Sequence, residues 1–229
     1  MAKGKKATKR IEITPPNFRV IALRIEGTAP LMTHKFSKKM RDAIMEKQTR
    51  QDATSPKREP KDYEAEFNAA RYIARRNGKQ GGWDGVPAGA IRAAMIAAVR
   101  GVDGLPIVRA KGAFFVLPQG HDVVDGTPLV RIIGHPVHDT RPVRLESGVA
   151  DLRNRPRYDD WAIDLEIQYD ADIVSEVDVA NLLARAGAQV GLCECRPSAP
   201  KSFGGDYGTF TVRTAAAKRQ PRPHLRAVA

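Results

Sequence analysis

The segment GLCECRPSAPKSFGGDYGTFTV, Gly191 to Val212, gathers residue types that act on phosphates and bases. Gly191, Gly204, Gly205 and Gly208 take side chains away from the backbone, so successive N–H groups can approach an anion. Arg196 and Lys201 add positive charge at the same place. Tyr207 and Phe210 offer flat rings on which bases stack. The competing reading is a plain connection whose aromatic residues pack in the core.

A second group is Arg141, Arg144, Arg153, Arg155 and Arg157. Planar guanidinium groups contact phosphates bidentately and stack on bases. Glu146, Asp151, Asp159 and Asp160 stand among them, so pairing within the surface competes with phosphate contact. Lys35, Lys38, Lys39 and Arg41 follow His34 and either extend a basic track or form a solvated helix face. His34 itself is a candidate acid or base, with no second base or lysine pair identifiable beside it. The sequence GHPVHD sets His135 and His138 in a His-x-x-His spacing next to Asp139, with His121 upstream. In an irregular stretch that spacing reads as surface rather than as a metal site. No Walker loop, nucleophile elbow or HExxH motif is present. The expectation is a non-catalytic protein with neither metal nor cofactor.

These residues need elements to hold them. FRVIALRIEG alternates apolar and polar positions, the apolar ones being Val20, Ala22 or Leu23, and Ile25, and reads as a first strand. Residues 35–85 read as a charged, partly helical insertion, interrupted by the breaker-rich DATSPKREP. In VPAGAIRAAMIAAVRG, Pro87 opens a helix, Ile91, Met95, Ile96 and Val99 recur at helical spacing, and Gly101 closes it. VRAKGAFFVLPQ reads as a strand ending at Pro118. Residues 119–158 turn irregular and arginine-rich around one clear strand, LVRIIG, and fit an extended hairpin or thumb. WAIDLEIQYD alternates cleanly, with Trp161, Ile163, Leu165 and Ile167 on one face. SEVDVANLLARAG has Ser175 as N-cap, Asp178 three residues later, an apolar stripe of Val179, Leu182, Leu183 and Ala186, and Gly187 at its end. GTFTV is a closing strand. Stripped of insertions the order is βαβ-βαβ, which predicts an α+β, ferredoxin-like antiparallel sheet with both helices on one face.

The chain of 229 residues, 42% hydrophobic, suits a single domain over 11–212 with a buried core. The formal charge of +12 is concentrated at the ends. Residues 1–10 carry Lys3, Lys5, Lys6, Lys9 and Arg10 without an acid, and residues 213–229 carry Arg213, Lys218, Arg219, Arg222 and Arg226 without one. Such arms attract any polyanion in a salt-sensitive way, or serve as solubilising tails. No apolar run reaches the roughly 18 residues of a membrane span, and the basic N-terminus lacks the apolar stretch of a signal peptide, so the expected location is the cytoplasm. Cys193 and Cys195, spaced CxC, read as reduced strand residues.

VPAGAIRAAMIAAVR resembles the entry into the first helix of the RAMP superfamily, the RNA-recognition-like domains that form backbone and processing subunits of CRISPR effector complexes. LARAGAQVGLCECRPSAPKSFGGDYGTFTV is similar to that family's second helix, glycine-rich loop and closing strand, with Asp206 where a basic residue is common. In texture, PLMTHKF and VRIIGHP resemble short proteins encoded by bacteriophages. The resemblance implies a protein that binds single-stranded DNA or RNA without base specificity and oligomerises along it as a filament. It also implies a second possibility, a metal-independent ribonuclease using His34. A third reading is a phage structural or assembly protein that uses the fold for protein contacts alone.

Overall fold

A computed structural model describes residues 13–36, 38–49, 61–76, 79–144, 150–199 and 205–214. In chain order the elements begin with β1 (Phe18–Gly27), β2 (Leu31–Met32), α1 (Lys38–Thr49), α2 (Tyr63–Ala69), β3 (Ile73–Arg76) and β4 (Lys79–Pro87). Then come α3 (Ala88–Ala98), extended by a 3-10 turn, α4 (Ile107–Ala113), β5 (Phe114–Val116), β6 (Gly120–His121) and β7 (Pro128–Arg131). The chain continues through β8 (Val137–Arg144), β9 (Ala150–Tyr158), β10 (Ala162–Asp170), α5 (Glu176–Arg185) and β11 (Phe210–Thr214). This is a mixed α+β fold with antiparallel sheets and, among the described residues, five α-helices.

The central sheet has four strands in the order β11-β1-β10-β5, every neighbouring pair antiparallel. Alternation in β1 and β10 turns Ile21, Leu23, Ile25, Ile163, Leu165 and Ile167 to one side, where each is buried. The same cluster contains Ile91 and Met95 of α3 and Val179, Leu182 and Leu183 of α5. Each such side chain contributes roughly 1.5–3 kcal/mol of transfer free energy when fully buried. The inward set of β1 is thus Ile21, Leu23 and Ile25, while Val20 is 58% exposed on the outer face. Helix α3 starts directly after Pro87, and α5 has a capping box between Ser175 and Asp178. The buried stripe of α5 keeps it helical past Gly187, through one π-helical turn (Ala186–Val190), and the left-handed Gly191 (φ 71°) ends it.

Two smaller sheets flank this core. β3-β4-β7-β6 forms one, and β2-β9-β8 the other. The C-terminal part of the expected insertion is extended rather than helical: β3 and β4 form an antiparallel pair, and β4 goes on to join β7. Glycines in KQGGWDGVP erase the alternation that marks a strand. Residues 107–113 are helical rather than extended: Pro106 precedes the turn, and Ala110 and Ala113 are buried. The irregular middle divides as well, with β6 and β7 in one sheet and the long β8–β9 hairpin in the other. Among the described residues, no helix is long and apolar enough to cross a membrane.

Candidate functional site

The segment after α5 runs along β2, on the side away from β9. Gly208 N donates to Pro30 O (2.8 Å), Glu194 N donates to Met32 O (3.0 Å), and Leu192 N donates to Gly208 O (3.0 Å). On its other side β2 pairs with Arg157 and Tyr158 of β9. A two-residue strand thus brings the glycine-bearing loop, the arginine hairpin and His34 to one place. The loop follows a path few residues allow. Cys193 (φ 61°) and Cys195 (φ 55°) both lie in the left-handed region, so they are turn residues rather than strand residues, and both thiols are free. At Gly208 (φ 69°) a Cβ would lie 2.0 Å from Leu192 O, so only glycine fits there. Burial pushes the Cys193 thiol up to about 12, which makes it a poor nucleophile.

Pairing in the hairpin turns Asp139, Arg141, Arg153, Arg155 and Arg157 to a common face, since Asp139 lies opposite Arg155 and Arg141 opposite Arg153. Asp139 is buried and accepts from Arg141 Nε and Nη2, each at 2.5 Å, and from Arg157 Nη1 at 2.8 Å. Arg157 also donates to Asp159 at 2.7 and 3.1 Å. Arg141 reaches across to the loop: its Nη2 donates to Tyr207 Oη (3.0 Å), and its guanidinium stands 5.2 Å from the ring centre. Arg155 Nη1 donates to Glu194 Oε2 (3.0 Å), while His34 Nδ1 lies 3.5 Å from Glu194 Oε1. Arg153 pairs with Asp151 (2.9 Å), which Lys61 also contacts. Arg196 donates to Cys193 O at 2.8 Å.

Burial raises the Asp139 carboxyl, but hydrogen bonds from Arg141 and Arg157 and their charges outweigh it, and the group stays below its ordinary value. The hydrogen bond with His34, against burial and together with the charges of Arg155, His34 and Arg196, likewise holds Glu194 low. The bonds to Asp139, for Arg141, and to Asp159 and Asp139, for Arg157, raise both guanidiniums further. A shallow depression of about 540 Å³ opens beside β8, lined by His138, Asp139, Thr140, Arg141, Pro142 and Arg157.

The opposite face of the hairpin is held by α2. His138 stacks on Phe67 (centroids 3.8 Å, 13° between planes), and Asn154 Nδ2 donates to Tyr63 O at 2.8 Å. His138 is therefore engaged with Phe67, Asn154 and Glu64, and His135 is exposed. Among the described residues no group of three or more metal-ligating side chains occurs.

Of the residues singled out in the sequence, Arg141, Arg153, Arg155, Arg157, Arg196 and Tyr207 converge here, with Gly205 beside Cys195 O. Lys35 is a correction: it is 5% exposed, paired with the fully buried Asp122 and 3.7 Å from Asp125, so its ammonium is an internal tether rather than a surface contact. Phe210 is also internal, packed edge-on against Trp161 at 6.2 Å. Lys201 and Gly204 lie outside the described residues, as do the side chains of Lys38, Lys39 and Arg144. Sequence reasoning passed over Asp139 and Glu194 as the carboxylates that organise the arginines. Their alternation with basic residues in HDTR and CECR was the available signal. No protein-family model matches the chain, and no curated protein matches it.

Proposed function

We propose that this chain binds single-stranded nucleic acid without base specificity and without catalysis, on a ferredoxin-like, RAMP-type core, and that copies assemble side by side along the strand. The strand order β11-β1-β10-β5, with α3 and α5 packed in one core against the sheet, supports the ferredoxin-like reading. One observation carries the ligand class: a guanidinium of the hairpin meets an aromatic ring of the loop, Arg141 on Tyr207, across 66 residues of sequence. Arginine fixed beside a tyrosine offers a phosphate donor and a stacking face together. Arg141 and Arg157 share Asp139, Arg157 also holds Asp159, and Arg155 holds Glu194; with Arg196 beside them, four guanidiniums stand against three carboxylates where the strand would run.

The test is fluorescence anisotropy of labelled single-stranded DNA and RNA across a salt series. The reading expects affinity that falls steeply with salt and a lower salt slope in Arg155→Ala and Arg157→Ala. Unchanged anisotropy at low salt overturns it.

A second reading has one observation of its own. His34 has a carboxylate partner, Glu194, and that carboxylate also holds Arg155. In RNA cleavage His34 would take the 2′-hydroxyl proton as that oxygen attacks the adjacent phosphorus, and Arg155 would face the charged phosphate. The P–O5′ bond would break with its leaving oxygen protonated by solvent. This reading expects RNA, not DNA, to be cut in chelator, and His34→Ala to abolish cleavage while sparing binding. Intact RNA after prolonged incubation removes it.

A further inference from the structure

Among the described residues β8 is the longest strand at a sheet edge, eight residues against five in β11 and fewer in β2, β3, β5 and β6. The direction of its free groups follows from β9. Thr33 N donates to Pro156 O (3.2 Å) and Asn154 N to Glu66 Oε2 (3.4 Å), so the even-numbered residues of β9 turn their peptide groups away from β8. His138 lies opposite Pro156, Thr140 opposite Asn154 and Pro142 opposite Leu152. The N–H and C=O groups of His138 and Thr140, and the C=O of Pro142, therefore point out of the sheet edge. Among the described residues neither N–H has a partner. The depression of about 540 Å³ runs beside this edge, and its described lining is five consecutive residues, His138 to Pro142, with Arg157 of β9. An open edge of this length is a template for another strand.

The strand VHDTRPVR complements itself. Antiparallel pairing sets outward residues opposite outward residues, so the central registers of β8 on β8 are centred on Asp139, Thr140 or Arg141. The first puts two carboxylates face to face and the last two guanidiniums, and like charges directly opposite destabilise a pair. Centred on Thr140, Asp139 of each copy comes opposite Arg141 of the other, and opposite charges stabilise the pair. Arg153, Arg155 and Arg157 stand one strand behind in all three registers and do not choose between them. The same register gives the N–H of His138 the C=O of Pro142 in the other copy, and the two Thr140 residues exchange both bonds. Pro142 lacks an N–H and forfeits only its bond to the His138 carbonyl.

We infer that β8 pairs antiparallel with β8 of a second copy of this chain, centred on Thr140, and joins the two β2-β9-β8 sheets into one. The two-fold axis stands perpendicular to the sheet, so the arginine-bearing faces of both copies lie on the same side. The contact is isologous and closes at two copies. It goes beyond the assembly proposed above, because it forms without nucleic acid.

The experiment uses the nuclease-treated full chain. Light scattering over a concentration series that ends at the solubility limit is expected to show the mass rising from one chain to two and no further. Thr140→Pro removes an N–H that points away from β9, so circular dichroism should be unchanged. Its dimerisation midpoint should move up at least about tenfold, the loss of two hydrogen bonds. Thr140→Cys tests the register. Thr140 is exposed, and two residues of a bonded pair lie about 5.5 Å apart at Cα, within the span of a short bismaleimide. That reagent should link Thr140→Cys chains to each other through residue 140, and should not link Val177→Cys chains, whose position on α5 is 67% exposed. A wild-type chain that stays monomeric, or a mass that climbs past two, overturns the inference. So does a dimer that Thr140→Pro leaves unweakened, or linking at residue 140 no faster than at residue 177. Where Thr140→Pro fails to fold, the two cysteine variants decide. Oligonucleotide binding is measured separately on the same samples. Binding without a dimer sinks this inference and leaves the ligand reading, whereas a dimer without binding does the reverse.

Discussion

The pair of Lys35 with Asp122 and the pair of Arg141 with Asp139 use the same charges in opposite settings. Lys35 and Asp122 are 5% and 0% exposed, and Asp122 also accepts N–H bonds from Ile73, Val124 and Asp125. Both charges have left water, and their attraction chiefly offsets that loss. Arg141 is 31% exposed beside a carboxylate at 4%, so its guanidinium still faces solvent. The first pair ties the segment carrying His34 to the sheet of β3, β4, β6 and β7. The second orients a cation and leaves it available. Burial, rather than charge or distance, separates an internal tether from a presenting group.

Four measurements press on that contrast. The largest effect is expected from Lys35→Met, which strands the Asp122 carboxylate and should lower stability by about 3–5 kcal/mol in urea unfolding. A loss under about 1 kcal/mol would put Lys35 back among the surface lysines. Next, Arg155→Ala with Arg157→Ala should weaken oligonucleotide binding by roughly 1–3 kcal/mol, the size of charge-assisted hydrogen bonds, while the melting temperature barely moves. A collapse in melting temperature with unchanged binding would invert the comparison. Ser175→Ala, at the cap of α5, should cost about 1 kcal/mol of stability and no affinity. The smallest effect concerns acid. The Asp139 carboxyl is held below its ordinary value, so its contribution to stability is complete above that value and fades as pH falls through the lower one. Asp139→Asn should flatten this component of the acid limb of stability against pH, below about pH 4.

Periodicity made the core readable. β10 and β1 alternate, α3 and α5 repeat at helical spacing, and the Ser175–Asp178 box marks where α5 begins. Elements with weak local patterns escaped. Glycines hide β4, and α4 is helical across a stretch whose strand-like end, Phe114–Val116, governs its appearance. The candidate site was legible as a list of residue types but not as a place. Arg141 meets Tyr207, and Arg155 meets Glu194, because β2 lies between hairpin and loop, and a two-residue strand leaves almost no periodic trace. The same tertiary logic removed Lys35 from the surface: a lysine beside His34 reads as solvent-facing until Asp122 arrives from far along the chain.

Asp139 between two arginines has a kinetic side. A phosphate that draws Arg141 away leaves the carboxylate still held by Arg157, so no buried charge is orphaned at any instant of the exchange. On the proposed function, ligand arrival and departure would be partner swaps rather than ruptures, and a strand held this way would be gripped at many places without stranding a buried charge at any of them.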